Sequence, residues 1–127
     1  MGTSICKFDD WYFDWSSIVD APTSCAMTRD EYIARALEWE GRRYVEQELP
    51  DRLARADAKG TSSLNHASLS QTVWLNRAGR SETFLSLSEI KQLVVLWRTD
   101  PKAEMEGHVP PSEEDSFDLH AWWKALP

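Results

Sequence analysis

The chain has 127 residues and a mass of 14.6 kDa, with 21 acidic and 14 basic side chains, two cysteines and seven tryptophans. This length suits one domain, and folding at this size buries roughly two thirds of the unfolded surface, so a core can form. A hydrophobic fraction of 42% excludes wholesale disorder. No apolar run reaches the ~18 residues of a membrane span. The N-terminal residues lack a secretory signal pattern and two cysteines make no disulfide framework, so we expect a reduced, cytoplasmic protein.

The acid excess lies at both ends of the chain. Residues 1–26 contain one base and four acids, and residues 101–127 contain two bases and six acids. Because the chain has no basic stripe to neutralise phosphates, we expect no direct nucleic-acid binding, and its hydropathy predicts no membrane partner. An acidic surface favours a partner protein with a basic surface, although acidic side chains also serve simply to keep a protein soluble.

The first predicted element is a helix over residues 8–19. Its aromatic and aliphatic side chains recur at helical spacing, and the aspartates fall on other faces. A strand fits less well, since alternation would place Asp10 and Asp14 among the apolar residues. Pro22 ends this segment.

A capping box predicts the start of the second helix. Thr28 and Glu31 have the spacing at which each side chain satisfies a free backbone amide of the other. Apolar residues continue at i+4 spacing as far as Leu49. Gly41 interrupts this ridge, and we expect another element to approach the backbone there. Pro50 stops or kinks the helix, and a second segment over residues 51–58 ends at a glycine.

The middle of the chain is predicted to form a β-hairpin. Residues 61–70 are small and polar, typical of a loop. Two β-rich runs follow, residues 71–75 and 81–85, around a glycine-containing turn. This interpretation places Trp74 in the core.

A second capping box, formed by Ser86 and Glu89, predicts the central core helix, which is apolar on nearly all sides and includes Trp97. Residues 101–115 read as a loop, and residues 117–126 as a short terminal helix. The predicted fold is α+β and mainly helical: about four helices packed with one β-hairpin in a single small domain, residues 1–127.

The sequence contains no strong catalytic motif and predicts no cofactor and no metal site. The local cluster closest to active-site chemistry is the acidic loop around His108, with Glu104 and Glu106 beside it. An enzyme would need His108 or His120 within about 3 Å of a carboxylate. A solvated acidic loop accounts for the same residues, and we do not expect an enzyme.

The tryptophans are more informative. Four of the seven lie in the acidic ends, and tryptophan is enriched among interface hot spots because one ring supplies a large contact area. Acids around such an anchor steer a cationic partner, and the ring faces accept arginine or lysine. Alternatively, these rings fill the hydrophobic core, which is small in a domain of this size. Trp39 lies off the main helical ridge, so we expect it to be partly exposed.

This profile predicts a small acidic inhibitor that occupies a basic, nucleic-acid-binding surface of a partner enzyme. Toxin-immunity proteins and phage anti-defence proteins share the profile, which is an analogy between classes. The predicted partner-binding residues are Asp9, Asp10, Trp11, Asp14, Trp15, Glu113, Glu114, Asp115 and Trp122. One alternative is an adaptor that docks residues 8–19 as an amphipathic helix into a partner's groove. The other is an enzyme that uses His108 or His120 with loop carboxylates.

Overall fold

A three-stranded antiparallel sheet lies at the centre of the protein. In the computed structural model, which describes residues 2–111 and 118–127, β1 (Thr3–Phe8) pairs with β2 (Trp11–Ser16), and β2 pairs with β3 (Ala21–Pro22). The register sets Cys6 opposite Phe13. Residues 9 and 10 form the turn between β1 and β2.

The prediction of a helix over residues 8–19 is therefore wrong. Phe13 and Trp15 are buried on one face of the sheet and Tyr12 on the other. A strand that is covered on both faces does not alternate between apolar and polar residues, so its pattern does not look like that of a half-exposed strand. Asp14 lies in β2 with its charge paired to Arg35. The adaptor alternative requires an amphipathic helix over residues 8–19, and this segment forms strand β2 instead.

Three helices cover the Tyr12 face of the sheet: α1 (Arg29–Glu40), α2 (Arg42–Gln47) and α3 (Leu49–Lys59). The capping box at the start of α1 is confirmed, because Glu31 N donates to Thr28 Oγ1 over 3.2 Å and Thr28 N donates to Glu31 Oε1 over 2.8 Å. The buried cluster between sheet and helices contains Ile5, Tyr12, Met27, Tyr32, Ala36, Leu49, Leu53 and Ala56.

Two glycines shape this helical layer. Gly41 separates α1 from α2 with φ +91°, and a Cβ built there would have no atom within 4 Å. The expected close approach of another element is therefore wrong. Glycine suits this position because the backbone has a positive φ, which other residues rarely adopt. Gly60 has φ +86° and ends α3 in the left-handed cap that the sequence predicts.

The other face of the sheet carries α4 (Leu69–Thr72), α5 (Leu87–Leu96) and α6 (Leu119–Lys124). The Ser86–Glu89 capping box is confirmed, and α5 buries Ile90, Leu93 and Val94. Trp97 is half-buried against the same cluster. The buried cluster on this face of the sheet contains Cys6, Phe13, Trp15, Ala26, Leu69, Val73, Leu85, Ile90, Leu93, Val94 and Trp123.

The predicted hairpin over residues 71–85 is wrong. Residues 69–72 are helical, and a short 3₁₀ turn spans Arg80–Glu82. The side chain of Asn76 is fully buried and bonds backbone groups of Val73, Ala78 and Leu85, so the segment folds around an amide instead of into a strand ladder. Trp74, expected in the core, is 37% exposed.

The α+β class is confirmed, but the count of four helices and one hairpin matches only roughly. The described residues contain six α-helices and one three-stranded antiparallel sheet. The predicted loop at residues 101–115 is irregular as far as residue 111, where the description stops, and is joined to the core by a bridge between Phe84 and His108. None of the helices in residues 2–111 and 118–127 is long and apolar enough to cross a membrane.

Candidate functional site

A cleft of about 980 Å³ opens at the end of the sheet where β1 begins and β2 ends. Its lining comes from helices α1, α2 and α3, from the loop that follows α3, and from α4 with the two residues Trp74 and Leu75. The lining includes Trp39, Tyr44, Arg52, Arg55, Leu64 and Trp74.

Large apolar side chains stand exposed around this cleft. Trp39 is 69% exposed, which confirms the sequence prediction, and Leu64 is 78% exposed on the loop that follows α3. Trp74 adds a second indole. The guanidinium of Arg35 lies 4.5 Å from the ring centre of Trp39 and so supports the indole from within the chain. Tryptophan, tyrosine and arginine together are the composition of a protein–protein hot spot.

Two arginines of α3 line the cleft without an acidic partner among the described residues. Arg52 donates to the hydroxyl of Tyr44 over 2.6 Å and to the carbonyl of Thr3 over 2.9 Å. Arg55 donates through Nε to the carbonyl of Ser62 over 2.9 Å. In residues 2–111 and 118–127, neither guanidinium has a carboxylate oxygen within 4 Å, and Nη1 and Nη2 of Arg55 make no hydrogen bond.

A partly buried triad of Asp14, Tyr32 and Arg35 contributes to the cleft lining. The hydroxyl of Tyr32 donates to Asp14 Oδ1 over 2.5 Å, and Arg35 Nη1 lies 3.2 Å from Asp14 Oδ2. Burial, followed by the nearby charge of Asp14, raises the pKa of Tyr32, so its hydroxyl remains protonated at neutral pH. The carboxylate of Asp14 is therefore satisfied inside the protein and contributes a fixed wall to the cleft.

The backbone is strained where Trp74 meets the cleft. Leu75 has φ +57°, a left-handed conformation that costs a branched side chain about 1–2 kcal/mol. The Asn76 hydrogen bonds hold the following residues in place, and Trp123 Nε1 adds a bond to the carbonyl of Leu85 over 2.9 Å. Strain of this kind persists where the surrounding structure over-determines it, and such positions concentrate at functional sites.

The structure divides the predicted N-terminal site residues between the two ends of the antiparallel pair formed by β1 and β2. Asp9 and Asp10 are exposed at the turn, and Trp11 is half-buried with the guanidinium of Arg98 4.6 Å from its ring centre. Asp14 lies towards the cleft end, four residues beyond Asp10 and so roughly 14 Å from the turn at ~3.4 Å per residue. Trp15 also lines the cleft but is only 2% exposed, so it belongs to the core.

The predicted C-terminal residues do not join them within the described residues. Trp122 is half-buried on α6, with its ring centre 5.8 Å from that of Phe84 in an edge-to-face contact. Its neighbour Trp123 is buried. Glu113, Glu114 and Asp115 lie outside the described residues.

The histidines of the enzyme alternative lie outside the cleft lining. His108 Nε2 is 2.8 Å from Glu89 Oε1, which meets the distance expected of an acid–base pair. The same oxygen accepts the backbone amide of Ser86, so this contact also fastens the 107–108 segment to the start of α5. Glu104 and Glu106 instead contact Arg80.

The cleft contains one histidine of its own. His66 Nδ1 lies 2.8 Å from Ser63 Oγ, and the same Oγ accepts the backbone amide of Asn65 over 3.2 Å. The hydrogen bonds of a loop turn account for this local contact, since no acid among the described residues orients the imidazole. In the part of the chain that the structure describes, no group of three or more His, Cys, Asp or Glu residues is arranged to hold a metal ion.

Sequence reasoning missed the arginines and misplaced Trp74. The exposure of Trp74 depends on the left-handed turn at Leu75, and leucine is a residue type that gives no sequence signal for a positive φ. That Arg55 has no acidic partner within residues 2–111 and 118–127 depends on how α3 packs in space. Comparison with protein-family models, with curated proteins and with solved structures finds no match to this chain. The geometry of the cleft is therefore the basis for the functional proposal.

Proposed function

We propose that the protein is a non-enzymatic interaction protein that binds and blocks a partner protein, with the cleft as its recognition surface. The observation that carries this proposal is the exposure of Trp39 and Leu64, with Trp74, around one concave site. Exposing two large apolar groups beside a cleft is costly in water, and their burial against a partner recovers that free energy. A cytoplasmic location is part of the proposal, because Cys6 and Cys25 are both free thiols.

The composition of the site supports binding over chemistry. Its arginine and tyrosine side chains fit recognition, and those of Tyr32, Arg35 and Arg52 are fixed by hydrogen bonds. Fixed side chains reduce the entropy that is lost on association. The cleft is therefore organised before a partner arrives.

Capture from an extract of the organism that encodes the protein tests the proposal. The bait is the full chain, the cleft variant carries Trp39→Ala with Leu64→Ala, and the matched control is Val109→Ala, which removes an exposed side chain outside the cleft. We expect a partner that the wild type and the control retain and the cleft variant loses. Equal capture by all three baits would refute the role of the cleft.

A second candidate surface is the acidic turn between β1 and β2. Asp9 and Asp10 are exposed, and neither forms an ion pair among the described residues. We propose this turn as the surface that would occupy a basic, nucleic-acid-binding region of a partner enzyme, as the acidic composition predicts. Binding through the turn would weaken with salt and with Asp9→Asn plus Asp10→Asn, and it would be unaffected by the Trp39 and Leu64 changes.

A further inference from the structure

We propose that the cleft binds an extended segment of the partner protein through a carboxylate that docks on Arg55, beside an apolar side chain that packs on Trp39. This inference rests on the proposed function and names the chemistry that the cleft selects. It follows from the hydrogen bonds of the arginines, the construction of the loop wall and the distribution of charge around the cleft.

Arg55 has the geometry of a preset carboxylate receptor. Its Nε–H is used by the carbonyl of Ser62, which fixes the plane of the guanidinium. The four N–H groups on Nη1 and Nη2 have no partner among the described residues. A guanidinium can offer such groups in pairs to the two oxygens of a carboxylate. Arg55 is half-buried, so this interaction would be less screened than on an open surface.

The loop that carries Leu64 is held in place by a third cation of α3. Lys59 Nζ donates to the carbonyl of Ser63 over 2.6 Å and to that of His66 over 2.8 Å. Lys59 follows Arg52 and Arg55 at spacings of seven and four residues, which places the three on one side of the helix. Two of these cations, Arg55 and Lys59, thus fasten the loop that carries Leu64. This loop would need little ordering on binding.

The charge around the cleft favours a peptide over a nucleic acid. Asp20, Glu40 and Glu48 also line the cleft, and the whole chain has a net charge of −7. A polyphosphate would meet repulsion along its length, whereas a single carboxylate flanked by apolar side chains can reach Arg55. The volume of about 980 Å³ lies at the upper end of the range for compact ligands, which suits several residues of an extended chain.

A random peptide library displayed on phage, selected on the immobilised full-length chain, provides the probe. The selected peptides are then synthesised, and their dissociation constants are measured with wild type, Arg55→Gln, Arg55→Lys, Trp39→Ala and the control Arg43→Gln. Arg43 is exposed on α2 outside the cleft lining. Thermal unfolding by circular dichroism confirms that each variant is folded.

We expect the selected peptides to share an Asp, a Glu or a free C-terminal carboxylate next to an apolar residue. Arg55→Gln should weaken their binding at least ~10-fold, as for the loss of a charged hydrogen-bonded pair. Arg55→Lys keeps the charge but loses the planar fork, so it should weaken binding by less. Arg43→Gln should leave the dissociation constant unchanged.

The outcomes separate this inference from the proposed function. Peptides that lack an acidic group, or that bind Arg55→Gln as well as wild type but lose affinity with Trp39→Ala, would overturn the carboxylate site and leave the recognition cleft standing. Peptides insensitive to both positions would contradict both. Binding of a single-stranded oligonucleotide that depends on Arg55 would overturn the choice of a peptide.

Discussion

Replacing Asn76 with alanine is expected to be among the most destabilising changes in this protein. The side chain is fully buried, and it makes four hydrogen bonds to backbone groups. Its Nδ2 donates to the carbonyls of Val73 and Leu85 over 2.9 and 2.8 Å. Its Oδ1 accepts the amides of Ala78 and Leu85 over 3.2 and 2.9 Å.

The magnitude follows from which of these groups lose their partner. The amide of Leu85 would be left buried and unsatisfied, at a cost of about 1–3 kcal/mol, while its carbonyl would keep the bond from Trp123 Nε1. Val73 and Ala78 would each lose one bond worth about 1 kcal/mol. The expected loss is about 3–5 kcal/mol, a large part of the ~5–15 kcal/mol that stabilises an ordinary domain.

Urea unfolding followed by tryptophan fluorescence measures this loss as a shift of the midpoint at constant slope. Asn65→Ala, at an exposed asparagine, is the control and should change stability by no more than about 0.5 kcal/mol. A loss below about 1 kcal/mol for Asn76→Ala would refute the reasoning. The left-handed turn at Leu75, and with it the position of Trp74, would then need another explanation.

Two further predictions concern the backbone and pH. Gly60→Ala places a Cβ 3.0 Å from Cβ of Leu69 in a left-handed conformation and should cost at least about 1 kcal/mol in urea unfolding; an unchanged midpoint would contradict this. Hydrogen bonds from Arg98, and then from the Thr28 amide, lower the pKa of Glu31 from its ordinary 4.5 to about 2. Because the folded-state pKa is the lower one, the stabilisation from Glu31 is complete above about pH 4.5 and is lost as the pH falls towards 2. The thermal midpoint should therefore fall less in Glu31→Gln than in wild type over this range, and parallel curves would argue against the ion pair.

The elements that the sequence predicts well are those whose signals are local. The capping boxes that begin α1 and α5 each lie within four residues, so their hydrogen bonds follow from the sequence alone. The strand β2 was missed because the structure covers both of its faces, which removes the alternation that marks a half-exposed strand. The turn around Asn76 was missed because its bonds to Leu85 join residues nine apart.

The candidate site was harder to predict than the fold. The acids and tryptophans at the N-terminus suggest a surface that binds cationic side chains of a partner. In the structure, arginines of the same chain already contact two of these residues. Arg98 stacks on Trp11, and Arg35 pairs with Asp14. The exposed indoles, Trp39 and Trp74, come from segments that meet only in the folded protein.

The most direct test of the central claim is the dissociation constant of the captured partner, measured with three proteins in the same buffer. These are wild type, the cleft variant Trp39→Ala with Leu64→Ala, and the turn variant Asp9→Asn with Asp10→Asn. If the cleft is the recognition surface, the cleft variant should bind at least ~30-fold more weakly, as at a hot spot, and the turn variant should bind within about 3-fold of wild type. A large loss with the turn variant and none with the cleft variant would contradict the claim.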